Sequence, residues 1–286
     1  MNSFKNKLIS RQRRLLYSFF SKFDRRNLEL PSLNHIDVAV MVLEKDLKIL
    51  PLCLEGIKKC VKNNIDDIYL ISPKSSIIED FCLSNRLTYL IEDKVLGYSP
   101  KELDIIVDTN LGLVNRSGWL FQQLVKLSGN VGKNRYTLFI DADHVLLKEH
   151  LFLTSNERTI FYMSEEYNWP YFENINKLLK RNIKCPSLSY VSHKMLFDKE
   201  KLFDLHHKIE DVHSGQSWDK TIISLYDRHQ SSGFSEFELY GCLFGNNGIW
   251  KPWREKRLHY AEITDYSSLV DEYSNYMSVT FPSFYS

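Results

Sequence analysis

The sequence predicts an α/β fold, a mainly parallel sheet covered by helices on both faces. Two observations predict it. Short apolar runs rich in β-branched residues alternate with stretches of helical apolar spacing through the first half of the chain. At 286 residues and 43% hydrophobic, the chain can also bury the core of one large domain of this class.

The elements follow in order. Residues 1–26 hold Lys5, Lys7, Arg11, Arg13, Arg14, Lys22, Arg25 and Arg26 against the single acid Asp24, a net +7 that leaves −6 on the rest of a chain whose total is +1. Phe4, Leu8, Leu15, Phe19 and Phe23 recur among these cations at helical intervals, and Leu16 and Phe20 widen the stripe. A basic amphipathic helix over 1–30 is expected, with two readings open: it lies on an anionic membrane surface, or it docks as an ordinary helix. The local charge speaks for an anionic partner and against a nucleic-acid-binding domain. No run approaches the length of a membrane span, and a short apolar core with a small-residue cleavage site is missing, so the expected location is cytoplasmic, on the inner membrane face.

Residues 36–43, IDVAVMVL, suit an interior strand, and Leu50, Leu54, Ile57 and Val61 then fall at helical spacing. Residues 67–72, DIYLIS, form a second strand closed by Pro73, residues 77–83 a helix, and residues 87–91 a third strand. This is a nucleotide-binding type of α/β unit without the GxGxxG or GxxxxGK[ST] fingerprint, so any nucleotide is held by other means. Cys53, Cys60, Cys82, Cys185 and Cys242 are odd in number and form no CxxC pair, which predicts reduced packing residues.

On a helix over 116–127, Leu120, Leu124 and Leu127 share one face, while Arg116, Trp119, Gln122, Gln123 and Lys126 fall near another, suggesting a site wall. Residues 136–140 are a strand, and Asp141-Ala142-Asp143 stands where it ends. Ligands gather at the carboxyl ends of strands in open parallel sheets. Side chains 141 and 143 of an extended segment point the same way, and two carboxylates so placed repel unless a cation separates them or one is protonated. A hard divalent ion, Mg²⁺ or Mn²⁺, resolves the repulsion and commonly shares its shell with substrate phosphates.

An apolar strand ending in DxD, mid-chain after strand–helix units, resembles the GT-A glycosyltransferase fold. GWLFQQLVKL, LFIDADHVLL and SEFELYG together resemble a little-characterised bacterial family of GT-A-like enzymes associated with surface polysaccharides, over roughly residues 36–260. The resemblance implies a single catalytic domain over 31–286, with 31–147 its nucleotide-binding half and 148–286 its acceptor half. It makes Asp143 the principal metal ligand, with Asp141 on the metal through water or on the ribose. It sets Val42, Lys45 and Asp46 against the nucleobase and Arg116, Gln123 and Lys126 near the donor. The implied substrates are a nucleotide sugar and a hydroxyl of a glycan or lipid-linked glycan, in lipopolysaccharide or capsule synthesis. A nucleotidyltransferase or phosphohydrolase using the same acids, or a non-catalytic glycan-binding protein docked on a membrane, stands as the rival.

In the second half, residues 187–197, SLSYVSHKMLF, read as a strand ending near His193, with a helix over 198–209. His193 is an acceptor-side candidate. Residues 235–241 set Glu236 and Glu238 among aromatic residues, and inverting GT-A enzymes need a downstream carboxylate as base, for which Glu236 is favoured over Glu238. Either acid is equally suited to capping the helix that follows. The segment 248–260, GIWKPWREKRLHY, offers Lys251 to the leaving diphosphate and His259 as a further metal ligand, a nitrogen donor that would favour Mn²⁺.

Overall fold

The structure, a computed structural model, describes residues 2–22, 29–109 and 112–282, with side chains from residue 6 onward. Phe23, Arg25 and Arg26 of the basic leader lie outside the described residues. In chain order the first half contains α1 (Asn2–Phe20), β1 (Ile36–Met41), α2 (Leu50–Cys60), β2 (Ile65–Ser72), α3 (Ser76–Asn85), β3 (Thr88–Ile91), the single turn α4 (Asp93–Leu96), the hairpin β4 (Ile106–Thr109) and β5 (Gly112–Asn115), α5 (Ser117–Leu127) and β6 (Tyr136–Ile140). The second half contains β7 (His144–Leu146), β8 (Ile160–Tyr162), α6 (Trp169–Leu179), β9 (Lys194–Asp198), α7 (Lys199–Val212), α8 (Trp218–Leu225), α9 (Glu236–Phe244), β10 (Ile249–Lys251), β11 (Glu255–Arg257), α10 (Tyr266–Glu272) and β12 (Ser278–Thr280).

Local chemistry sets many of these boundaries. In α2, Pro51 occupies the first turn, where its missing N–H costs nothing, and Lys58 and Lys59 lie in the last turn, where the helix dipole favours cations. Leu50, Cys53, Leu54, Ile57 and Cys60 are its buried stripe, so the two cysteines pack as their spacing predicts, and all five cysteines are free. The hydroxyls of Ser75 and Ser235 cap α3 and α9, accepting from the backbone N–H of Ile78 and Glu238, and the Asp198 carboxylate caps α7.

The central sheet runs β3-β2-β1-β6-β9, parallel throughout except that β9 is antiparallel to β6. Alternate residues of β1 feed two cores: Ala39 and Met41 join Phe139, Phe197 and the apolar faces of α5, α7 and α9, while Val38 and Val40 join Leu138, Ile140 and α2. Each such aliphatic side chain contributes about 1.5–3 kcal/mol by leaving water. A third cluster, with Val145, Leu258, Leu269, Val279 and Phe281, packs the chain's last segments onto β7.

Two close approaches fix where β6 begins and ends. Gly132, at φ +80°, lies so near Asp37 that a Cβ would sit 2.4 Å from its carboxylate oxygen, and this turn aims the N–H groups of Lys133 and Asn134 at the buried Asp37 carboxylate, each at 2.7 Å. Past the strand, Gly56 of α2 lets β7 approach until a Cβ would meet the Leu146 carbonyl oxygen at 2.7 Å. The β6–β9 register is locked by Arg135, whose guanidinium donates two 2.8 Å hydrogen bonds to Asp198.

One element differs from expectation. The strand begins after His193, at Lys194, and residues 187–193 approach it as irregular chain with a single bridge from Ser189 to Ser164. His193 itself has φ +59°, so the chain turns there and enters β9 in the antiparallel sense.

Candidate active site

The turn after β6 is held from three sides. The Asp141 N–H donates to the His193 carbonyl at 2.9 Å, the His144 N–H closes the turn onto the Asp141 carbonyl at 3.0 Å, and the Phe281 N–H donates to the Asp143 carbonyl at 2.9 Å. With its backbone so tied, the turn presents Asp141, Asp143 and the incoming His193 together. One ligand atom from each lies within 4.8 Å of the others, and all three side chains remain partly open to solvent.

Asp141 is the fixed charge of this group. Burial alone would raise its proton affinity, but the Lys126 ammonium at 2.8 Å and the His193 ring nitrogen at 3.1 Å outweigh that and hold the carboxyl well below its usual range. Asp143 has no ion-pair partner among the described residues. Burial, then the charge of Asp141, push it up to about 6, and Asp46 adds to the effect. His193 goes the other way: burial opposes its charge, yet the hydrogen bond with Asp141 and the field of Glu255 raise it to about 9.

One flank of the site is built by α5 and α9. Lys126, almost wholly buried, sits between Asp141 and Glu236 at 2.8 and 2.9 Å, so two carboxylates overcome the desolvation cost and raise its proton affinity. Gln123 aligns the pair of helices by accepting from the Glu236 N–H at 3.3 Å. Beneath the turn lies a second polar group from β7, β9, β11 and β12. Lys194 donates to His144 Nε2 at 3.0 Å and lies 3.3 Å from Glu255, whose other oxygen is 3.7 Å from His193 Nε2. The His144 and His193 rings stack at 5.6 Å. Burial lowers the proton affinity of both Lys194 and His144.

The geometry fits a divalent cation: two carboxylates and an imidazole converge, and Asp143 makes no ion-pair contact among the described residues. A nitrogen in the donor set suits Mn²⁺ or another transition ion better than Mg²⁺.

Residues 45–281 match the model of a family described as a family of unknown function, DUF6492. The chain belongs to that family. No curated protein matches it. Among solved structures, this DUF6492 chain is similar to the apo form of mouse xyloside xylosyltransferase 1, with TM-score 0.44 and 9% identity over 88% of this chain and 99% of that one. It is similar also to two structures of the galactosyltransferase LgtC, each matched over 86% of both chains: an active-site mutant, with TM-score 0.40 and 9% identity, and a complex with donor and acceptor sugar analogs, with TM-score 0.39 and 7% identity. What the DUF6492 site can do is therefore read from its own side chains.

The structure brings Asp141, Asp143, Lys126, Gln123 and Glu236 together, and Asp46 lies within electrostatic reach of Asp143. Val42 is buried in the core shared with α2, Asp46 accepts from the Leu43 N–H, and Lys45 is exposed. Arg116 stands apart, its guanidinium stacked on Trp119 at 4.4 Å. Glu238 is buried on the far side of its helix turn from Lys126, bonded to the Ser189 hydroxyl, and burial pushes it up to about 7. The segment 248–260 does not fold as a loop over the cluster. It forms β10 and β11, with Lys251 buried in β10 and Glu255 reaching the cluster in place of the cations. His259 does not join Asp141 and Asp143. It is exposed, caps the turn at Tyr260–Glu262 and accepts from the Ala261 N–H, and the imidazole that stands beside the acid pair is that of His193. Sequence reasoning missed Glu255 and Lys194 entirely. The one signal for His193 as ligand was a histidine at the edge of an apolar run, which many core histidines share.

Proposed function

We propose that this protein is a metal-dependent glycosyltransferase that moves a sugar from a nucleotide-sugar donor to a hydroxyl of a bacterial surface glycan, in lipopolysaccharide or capsule synthesis. The observation that carries the reading is the convergence of Asp141, Asp143 and His193 at the carboxyl end of β6, beside an ammonium already held by two carboxylates. Mn²⁺ bound there would accept oxygens of the donor diphosphate and stabilise the charge that develops as it leaves. Asp143 and Asp141 would hold the ion, and His193, once deprotonated, would offer it a neutral nitrogen. Asp46, in the 3-10 turn that follows β1, is within electrostatic reach of Asp143 and is offered to the nucleoside.

The base is assigned to Glu236. Its carboxylate shares Lys126 with Asp141, one side chain from the metal position, whereas Glu238 is enclosed by Ser189 and its own helix. An incoming diphosphate competes for the Lys126 ammonium. As that bond loosens, the Glu236 carboxylate is freed to take the proton of the acceptor hydroxyl, while the acceptor oxygen attacks the anomeric carbon and the nucleoside diphosphate departs. A base on the acceptor side implies inversion of the anomeric centre.

The test is a thermal-shift screen of nucleotide sugars with and without Mn²⁺, followed by product analysis. One donor is expected to raise the melting point only with Mn²⁺, and turnover should release a nucleoside diphosphate. Asp143→Ala should abolish the Mn²⁺ effect and lower turnover about a thousandfold, roughly 4 kcal/mol of lost stabilisation. Release of pyrophosphate would establish the nucleotidyltransferase reading instead. An Asp143→Ala protein that still answers to Mn²⁺ and donor would remove the metal site from the mechanism.

A further inference from the structure

Among the described side chains of α1, those of Arg13, Leu16 and Tyr17 hold the helix on the body, all from one face. Arg13 points inward and is almost completely buried. Its guanidinium donates to the carbonyls of Glu166 and Pro186 at 2.6 and 2.5 Å and lies 4.8 Å from the centre of the Tyr167 ring. One turn on, the Tyr17 hydroxyl donates to the Trp253 carbonyl, and Leu16 packs on the main core. The helix is therefore seated, and its rotation about its own axis is fixed.

With the inward face so defined, the opposite face shows an apolar stripe, Leu8 and Leu15 at 59% and 66% exposure, continued by Phe19, whose ring meets Phe20 edge-on. Seven residues apart, Leu8 and Leu15 lie one above the other. Beside this stripe run Lys7, Arg11, Arg14 and, just past the helix, Lys22, all exposed. On the cationic side, Asn6, Lys7, Ser10 and Arg14 line a groove closed by Tyr167. An isolated docking helix would have spent its leucines on the body. Here the body is held through Arg13, Tyr17 and Leu16, and Leu8 and Leu15 stay outside next to a row of cations.

We infer that this outward face docks the protein on an anionic lipid bilayer, with Leu8, Leu15 and Phe19 entering the interfacial layer and the Lys7–Arg14 groove receiving headgroup phosphates. Charge complementarity names the partner, since exposed cations flanking exposed leucines suit a surface that is negative outside and apolar beneath. The inference is independent of the transfer chemistry. Its consequence is orientation: because Arg13 and Tyr17 clamp α1 onto the segments leading to Glu166 and to Glu255, the membrane fixes the pose of the whole body and not only of a tether.

The full chain is tested by sedimentation with vesicles of phosphatidylcholine alone and with about a third phosphatidylglycerol. It should partition at least about tenfold more strongly onto the anionic vesicles, and raised salt should release it. Lys7→Glu with Arg14→Glu, and separately Leu8→Ser with Leu15→Ser, should each weaken binding by about tenfold or more while circular-dichroism melts stay unchanged. Equal partition onto neutral vesicles, or full binding by both variants, overturns the proposal. A concentration-dependent dimer lost in the leucine variant, with no vesicle binding, would give the face to a second copy. Stabilisation by inorganic phosphate without vesicle binding would give the groove to a free anion.

Discussion

Lys126 and Lys194 are both buried beside the Asp141–His193 pair, the first bonded to Asp141 and the second reaching His193 through Glu255, yet their surroundings act on them in opposite directions. Lys126 is gripped by two carboxylates and its proton is held more tightly than in water. Lys194 shares the partly exposed Glu255 with a serine and rests against a neutral histidine, and burial loosens its proton. The flank of α5 and α9 thus carries more negative than positive charge even before Asp143 is counted, and the floor of β9 and β11 does not. A cation bound at the turn as proposed would be drawn to the flank, while Glu255 on the floor lies against His193.

The comparison breaks most visibly through Lys126→Met. Removing the shared cation leaves Glu236 without its ion-pair partner and Asp141 with His193 alone, and the loss of stability should be about 3–5 kcal/mol in denaturant melts of metal-free protein. The effect should shrink when Glu236→Gln is added, because one stranded charge is gone.

Titration sharpens the same contrast. If the proposed site is right, an ion must displace the proton of His193, held up to about 9, and find Asp143 ionised, which requires pH above about 6. Mn²⁺ affinity measured by calorimetry should therefore rise about tenfold per pH unit between those limits and fall more steeply below them. Without metal the sign reverses. A histidine raised from 6.5 to about 9 contributes stability that is complete below 6.5 and is lost as pH climbs through 9, so chelated protein should melt earlier at pH 9 than at pH 6.5. Affinity independent of pH over this range would detach both residues from the ion.

Lys194→Met comes next. Replacing a poorly compensated buried lysine by a side chain of similar length should change stability by no more than about 1.5 kcal/mol. A loss as large as that of Lys126→Met would erase the distinction between the two regions. The smallest effect belongs to His259→Ala, which removes an exposed cap worth about 0.5–1 kcal/mol and should leave Mn²⁺ affinity unchanged.

What was legible in the sequence was what is decided locally. Periodic apolar spacing marks β1, β2, β3, β6, α2, α5 and α7 to within a few residues, and the acid pair announces itself because two carboxylates at a strand end need a reason. The partners of that pair were hidden by distance along the chain. His193 reaches Asp141 through an antiparallel pairing that nothing within residues 187–197 specifies, and the expected strand lay on the wrong side of it. Glu255 and Lys194 were unreadable because buried charges cannot be told from exposed ones until their partners are known. The basic segment 248–260 misled for the same reason: its one acid mattered to the cluster more than its four cations.

The pairing of β9 with β6 makes His193 a matter of counting. Five consecutive pairs, from Tyr136–Asp198 to Ile140–Lys194, set the step at which the chain leaves the sheet, and the Arg135 fork pins the far end. A slip of one place would bring either a hydroxyl or a long ammonium to the acid pair, and the ammonium would neutralise it from within. Inserting or deleting a single residue inside β9 is then a change of chemistry, although every residue that does the chemistry would still be present.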